Sequence, residues 1–135
     1  RLVGSEMCIR DSINRSDVKE ALKTILAGID NIKNGISMCI FPEGTRNKTE
    51  DLMLPFKEGS FKMAEKTGCL IVPMAISGSA DILEAHFPKV KPVHVIVEYG
   101  KPIDPKSLDK DTRKKIGSHC QGVIAEMLEK NNPQI

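Results

Sequence analysis

Ile36-Ser37-Met38-Cys39-Ile40-Phe41 (ISMCIF) is a short, nearly continuous apolar run, and Cys69 to Ile76 (CLIVPMAI) is a second. Runs of this length, without helical spacing, suit strands covered on both faces. Outward from the first run, Val18, Ala21, Leu22, Ile25, Leu26, Ile29 and Ile32 recur at three-and-four spacing and predict an amphipathic helix. Asp17 with Glu20 resembles a capping box at its start, and Asn34-Gly35 supplies a left-handed stop. Between the two runs the sequence predicts a polar loop and a shorter helix from about Gly59 to Lys66, closed by Gly68. Helix, strand, loop, helix, strand is the rhythm of a parallel α/β sheet with crossover helices.

Beyond the second run, Val93, Val95, Val97 and Tyr99 alternate with His94, Ile96 and Glu98, a third strand with two unlike faces ended by Lys101-Pro102. Ile116, Cys120, Val123, Ile124, Met127 and Leu128 then mark a helix from about Asp109 to Lys130, broken by Asn131-Asn132-Pro133. No repeat, low-complexity tract or interdomain linker is visible, and one domain is expected at this length.

Composition excludes several function classes. Twenty Lys+Arg against 18 Asp+Glu leave a formal charge of only +2, and aromatics are scarce, so nucleic acid is not an expected partner. No apolar run reaches the roughly 18 residues that a spanning helix needs. Cys8, Cys39, Cys69 and Cys120 lack C-x-x-C pairing, which supports no metal site; they read as reduced thiols, with Cys39 and Cys69 buried inside their apolar runs. Arg1 to Ser12 (RLVGSEMCIRDS) shows neither periodicity nor a secretory core, and it reads as a non-native linker.

The chemistry concentrates in Phe41-Pro42-Glu43-Gly44-Thr45-Arg46, the loop after the first apolar run. In open α/β sheets, ligands bind at the carboxyl ends of strands. Pro42 stiffens the turn, Gly44 permits close backbone approach, and Thr45 with Arg46 offers a hydroxyl and a forked guanidinium suited to phosphate. Glu43 can accept a bond from a substrate hydroxyl. A short Gly-Thr-Arg loop is a weak signal, and the residues alone fit more readily a plain turn whose Glu43 and Arg46 form a surface ion pair.

FPEGTR at 41–46 resembles the third signature block of the glycerolipid acyltransferase family, which includes lysophosphatidic acid acyltransferases of the PlsC type. Ile13-Asn14-Arg15 resembles the second block, Pro55-Phe56-Lys57-Glu58-Gly59 the stretch after the third, and Val72-Pro73-Met74-Ala75 the fourth. Gly100-Lys101-Pro102-Ile103 resembles the closing segment. The resemblance implies an α/β acyltransferase sheet with crossover helices, of which residues 13–135 form the C-terminal portion. It implies transfer of an acyl group from acyl-CoA or acyl-carrier protein to lysophosphatidic acid, at the cytoplasmic face of a membrane and without a bound cofactor. By position it assigns Arg15 and Arg46 to the substrate phosphate, Glu43 to the glycerol backbone, and Gly44 and Thr45 to the pocket wall. Lys57 is either a further anion ligand or a solvated charge.

The sequence departs from the family at its first block, His-x-x-x-x-Asp, whose His acts as general base. Five positions after His86, His94 and His119 stand Lys91, Tyr99 and Ile124, so none of the three fits. Their readings are surface or strand positions, and the block is expected upstream of these residues. Other acceptors, glycerol-3-phosphate or a lyso-ornithine lipid, fit the same pattern, as does a non-catalytic lipid- or phosphate-binding module.

Overall fold

The computed structural model describes residues 18–45, 47–49, 51–82 and 87–135, with side chains from Leu22 onward in the first helix. They fall into two compact units, one ending at Cys39 and one running from Ile40 to Ile135. The expectations for residues 1–12, for Ile13 to Arg15, and for the capping box at Asp17 lie outside the described residues.

In the first unit, α1 spans Val18–Lys33. Its end is the one the sequence announces: Gly35 takes φ 81°, its N–H reaches the Ile32 carbonyl at 3.0 Å, and the Ile36 N–H reaches Asn31 at 3.0 Å. These bonds form a Schellman stop, which a residue with a Cβ adopts only at a cost. Leu22 and Leu26 of the apolar stripe are exposed.

The first apolar run departs from expectation. Ile36 to Phe41 joins no ladder among the described residues, and Ile36, Met38, Ile40 and Phe41 are all exposed, as is Cys39. An apolar run records a preference for a covered sheet position, but it cannot supply the neighbouring strand whose N–H and C=O groups complete it. The second run, its expected parallel neighbour, commits one edge to a later strand.

That commitment is antiparallel. β1 (Met74–Ser77) pairs with β2 (Ile96–Tyr99), Met74 opposite Tyr99 and Ser77 opposite Ile96. The pairing continues through Gly100 N–H to the Pro73 carbonyl at 2.8 Å and through the Ile71–Ile103 bridge. From the Met74–Tyr99 pair to that bridge, one strand advances three residues and the other four. The extra residue is a bulge that sets Lys101 and Pro102 against Val72, accommodating a proline that has no N–H to give the ladder. Both strands are shorter than the apolar runs that predict them, and Pro73 marks where the first regular ladder begins.

Three helical pieces support this pair. A 3-10 turn, Glu58–Phe61, runs into α2 (Lys62–Thr67), which stops at Gly68 with φ 68°. Asp109 caps α3 (Lys110–Lys114), its carboxylate accepting from the N–H groups of Asp111 and Thr112 at 3.1 and 3.0 Å. Hydrogen bonds from Thr112, side chain first and then backbone, hold the Asp109 carboxyl below its usual range. The single helix expected after Asp109 breaks at Lys115, and α4 runs from Ile116 to Asn131. No helix among the described residues is long and apolar enough to cross a membrane.

The apolar stripe of α4 forms the wall of both core clusters. Ile116 and Cys120 pack with Phe61, flanked by Phe56, Ile71, Ile103 and Leu108. Met127 and Leu128 pack with Ala75, flanked by Met53, Val123 and Ile124. The two faces of β2 are unlike, as expected, but the polar one turns inward: Glu98 accepts from Lys130 at 2.6 Å and Asn131 at 2.8 Å, while Val97 and Tyr99 are exposed. The Lys130 bond, then that from Asn131, holds the Glu98 carboxyl below its usual range.

Two substitutions are expected to move stability in opposite directions. Ile116 has no exposed surface, so Ile116→Ala costs about 2–5 kcal/mol in urea unfolding. The buried Ser77 hydroxyl has no hydrogen-bond partner among the described residues, so Ser77→Ala is neutral or stabilises by up to about 1 kcal/mol. A clear loss with Ser77→Ala would show that a bound water satisfies the hydroxyl.

Burial, and then the negative charge of Glu58, pushes the Cys120 thiol up to about 11. Because the folded state resists thiolate formation, this group lowers stability as pH rises from the unfolded thiol's value toward 11 and has no effect below it. Iodoacetamide at mildly alkaline pH is expected to label Cys39 in the folded chain and to label Cys120 only on unfolding, as mapped by mass spectrometry.

Candidate functional site

The loop that carries the FPEGTR motif begins as a tight turn. The Gly44 N–H donates to the Phe41 carbonyl at 3.0 Å, with Pro42 second in the turn and Gly44 last at φ 69°. Proline presets the backbone angle that the second position needs, and glycine accepts the positive φ without strain.

Two further bonds fix this turn against a segment eleven or more residues away. The Lys57 N–H donates to the Pro42 carbonyl at 3.0 Å, and the Leu54 N–H donates to Glu43 Oε2 at 2.9 Å. The two motif blocks, 41–46 and 55–59, therefore meet, which their separation in sequence does not reveal. Glu43 is half-buried and one of its carboxylate oxygens holds the scaffold; the expected substrate contact would fall to the other.

The far side of residues 54–56 is held by α4. Gln121 accepts from the Phe56 N–H at 3.3 Å and directs its amide nitrogen to the Leu54 carbonyl at 3.5 Å. A side-chain amide here takes the place of a neighbouring strand. Glu58 adds a second tie, accepting from the Gly117 N–H at 3.3 Å in the first turn of α4, where a carboxylate also complements the helix dipole. Sequence reasoning missed Gln121 and Leu54. The available signal was a polar residue beside Cys120 at the margin of the α4 stripe, and that signal is weak.

After the turn, Asn47 organises the loop. Its Oδ1 accepts from the Thr49 N–H at 2.9 Å and the Thr49 hydroxyl at 2.7 Å, and its amide donates to the Asp51 carbonyl at 2.6 Å. This is an Asx-type turn. Gly44, Thr45 and Lys57 are exposed around the same feature, Lys57 in extended conformation just before the 3-10 turn. Arg15, Arg46 and His86 lie outside the described residues. His94 and His119 are both exposed. Among the described residues no cluster of His, Cys, Asp and Glu is arranged to hold a metal ion.

A cationic groove of about 460 Å³ lies elsewhere, lined by Lys62, Glu65, Lys106, Lys110, Arg113 and Lys114. Local structure accounts for several of these charges. Lys62 pairs with Glu65 at 3.0 Å, and Arg113 donates to the carbonyls of Lys106 and Leu108 at 2.9 and 3.1 Å. Arg113 and Lys114 also offset the dipole at the end of α3.

The family model of acyltransferases matches residues 8–77, just over half of the chain, and spans the turn, the 54–58 segment and β1. The chain belongs to the acyltransferase family. It is similar to the 1-acyl-sn-glycerol-3-phosphate acyltransferase of Saccharomyces cerevisiae, 35% identical over 87% of this chain and 38% of that one. It is also similar to the enzyme of that name from Salmonella typhimurium, 30% identical over 91% of this chain and 49% of that one. The fold matches the crystal structure of the 1-acyl-sn-glycerophosphate acyltransferase PlsC from Thermotoga maritima with a TM-score of 0.71 at 27% identity. That match covers 82% of this chain and 44% of the other, so the mixed α/β architecture is common to both over a partial length. The chain thus spans less than half the length of each of these relatives.

In this acyltransferase-family chain, Glu43→Ala is expected to free the Leu54 amide. Its hydrogen exchange should accelerate severalfold, with a stability loss of about 1.5–3 kcal/mol for a bond to a charged acceptor. Glu43→Gln keeps an acceptor oxygen and should fall between. Unchanged Leu54 protection in Glu43→Ala would show that this bond does not hold the turn.

Proposed function

We propose that the protein to which this chain belongs transfers an acyl group to the free hydroxyl of 1-acyl-sn-glycerol-3-phosphate, forming phosphatidic acid. The observation that carries this reading is the FPEGT turn locked against Lys57 within the region that matches the family. The relatives' names support the acceptor. Acyl-CoA or acyl-carrier protein is the donor, and the reaction takes place at the cytoplasmic face of a membrane.

The roles are those the family resemblance implies by position, and the chemistry of the side chains suits them. Arg46, with Arg15, forks onto the phosphate through charge-assisted bonds, and the Lys57 ammonium adds a further positive charge to that anion. The free oxygen of Glu43 addresses the glycerol backbone, and Gly44 with Thr45 walls the pocket. A general base takes the proton of the acceptor hydroxyl as its oxygen attacks the thioester carbonyl; the new C–O bond forms, the C–S bond breaks, and the leaving thiolate takes up the proton. In the family pattern the base is the His of a His-x-x-x-x-Asp pair, and none of the three histidines here has an aspartate five positions on.

Two outcomes are expected. The 135-residue chain alone shows no acyl transfer above background, since a positioned base contributes roughly 10²–10⁴-fold. In a longer protein bearing the His-x-x-x-x-Asp pair, Arg46→Ala lowers kcat/KM for the acceptor by roughly 10- to 150-fold, the equivalent of one charge-assisted fork, and leaves the donor KM unchanged. Steady-state kinetics with lysophosphatidic acid, glycerol-3-phosphate and a lyso-ornithine lipid separates the acceptors. A raised donor KM with an unaltered acceptor dependence would remove Arg46 from the phosphate.

A further inference from the structure

The connection from β1 to β2 carries a feature that acyl transfer does not use. The Lys91 N–H donates to the Ile82 carbonyl at 3.2 Å, tying the base of a loop whose described part runs from Phe87. Phe87, at 78%, is the most exposed large apolar side chain among the described residues, and Val90, three residues on, is 70% exposed. Lys89 and Lys91 alternate with them and are also exposed. Pro88 and Pro92 restrict the backbone, so ordering the loop on a surface loses little entropy.

Charge decides what this surface fits. Within Phe87–Pro92 the sequence has Lys89 and Lys91 and no aspartate or glutamate; the nearest acids in sequence are Glu84 and Glu98, and Glu98 is taken up by Lys130 and Asn131. Apolar side chains held out in water among cations match the boundary of an anionic bilayer, where an aromatic and an aliphatic side chain enter below the headgroups while lysines remain level with the phosphates. An apolar protein groove would accept Phe87 and Val90 but would gain nothing from the lysines. We propose that the Phe87–Pro92 segment is a docking loop for an anionic lipid surface. The proposal deepens the membrane setting of the acyl-transfer reading, but no residue of the loop belongs to the FPEGT turn or its supports.

The test is flotation of the 135-residue chain with phosphatidylcholine vesicles, with and without phosphatidylglycerol, at low and high salt. Binding is expected on the anionic vesicles and should weaken with salt. Lys89→Ala with Lys91→Ala should lower the partition coefficient by roughly 25-fold, about fivefold per lysine, and abolish the preference for phosphatidylglycerol. Phe87→Ser with Val90→Ser should lower it at least roughly tenfold on the same vesicles while retaining the salt dependence. All four positions are exposed, so circular dichroism and the thermal midpoint should be unchanged.

A chain that does not bind anionic vesicles would overturn the proposal. So would equal binding by all variants, which would assign the contact to another surface such as the exposed leucines of α1. Concentration-dependent dimerisation abolished by Phe87→Ser/Val90→Ser, with vesicle binding intact, would make the loop a self-association surface instead. Vesicle binding that follows the predicted pattern in a protein without acyl transfer would sustain the loop assignment and remove only the catalytic one.

Discussion

The backbone of residues 54–57 must find hydrogen-bond partners, and among the described residues no strand runs beside it. Its N–H and C=O groups are satisfied by three unlike neighbours instead: the Glu43 carboxylate, the Gln121 amide and the Pro42 carbonyl. A half-buried backbone without such partners costs roughly 1–3 kcal/mol per lost bond. The same bonds that meet this requirement place the FPEGT turn next to Lys57 and anchor both to α4. Scaffold and candidate site therefore share residues, and the segment that braces the turn is held by Gln121, 65 positions beyond Phe56.

Helix α4 carries this arrangement because its two sides do different work. Ile116, Cys120, Met127 and Leu128 bury against Phe61 on one stretch and Ala75 on another, while Gln121 reaches out to the loop. Near its start the Gly117 N–H meets Glu58, and near its end Lys130 and Asn131 meet Glu98 of β2. A two-stranded antiparallel pair is marginal on its own in water, and packing on a helix is what gives it an apolar partner. The bulge at Lys101-Pro102 lets that pair extend past a proline to the Ile71–Ile103 bridge, joining the sheet to the Phe61 cluster.

The sequence disclosed the parts whose physics is local. The α1 stop at Asn34-Gly35, the α2 stop at Gly68 and the α4 stripe are written in spacing and in glycines that take positive φ, and each was legible. Strand pairing is not local. Ile36 to Phe41 and Cys69 to Ile76 look alike as apolar runs, yet one is unpaired among the described residues and the other pairs antiparallel, because the outcome depends on which neighbour is available. The inward face of β2 was likewise illegible: Glu98 turns toward α4 because Lys130 and Asn131 wait there, thirty-two and thirty-three residues on. For the candidate site, the motif resemblance named Glu43, Gly44, Thr45 and Lys57, and the Lys57 N–H to the Pro42 carbonyl brings the two blocks together. Gln121 could not be found that way, since a glutamine that pairs with backbone has no signature of its own.

The central proposal is that the FPEGT turn and Lys57 line the acceptor site of an acyltransferase. The most direct measurement is a titration of the ¹⁵N-labelled chain with sn-glycerol 3-phosphate, followed by amide chemical shifts. The account predicts saturable shifts at Gly44, Thr45 and Lys57, with the amides around the Lys106, Lys110 and Lys114 groove unmoved. Shifts confined to that groove, with the turn silent at saturation, would contradict it.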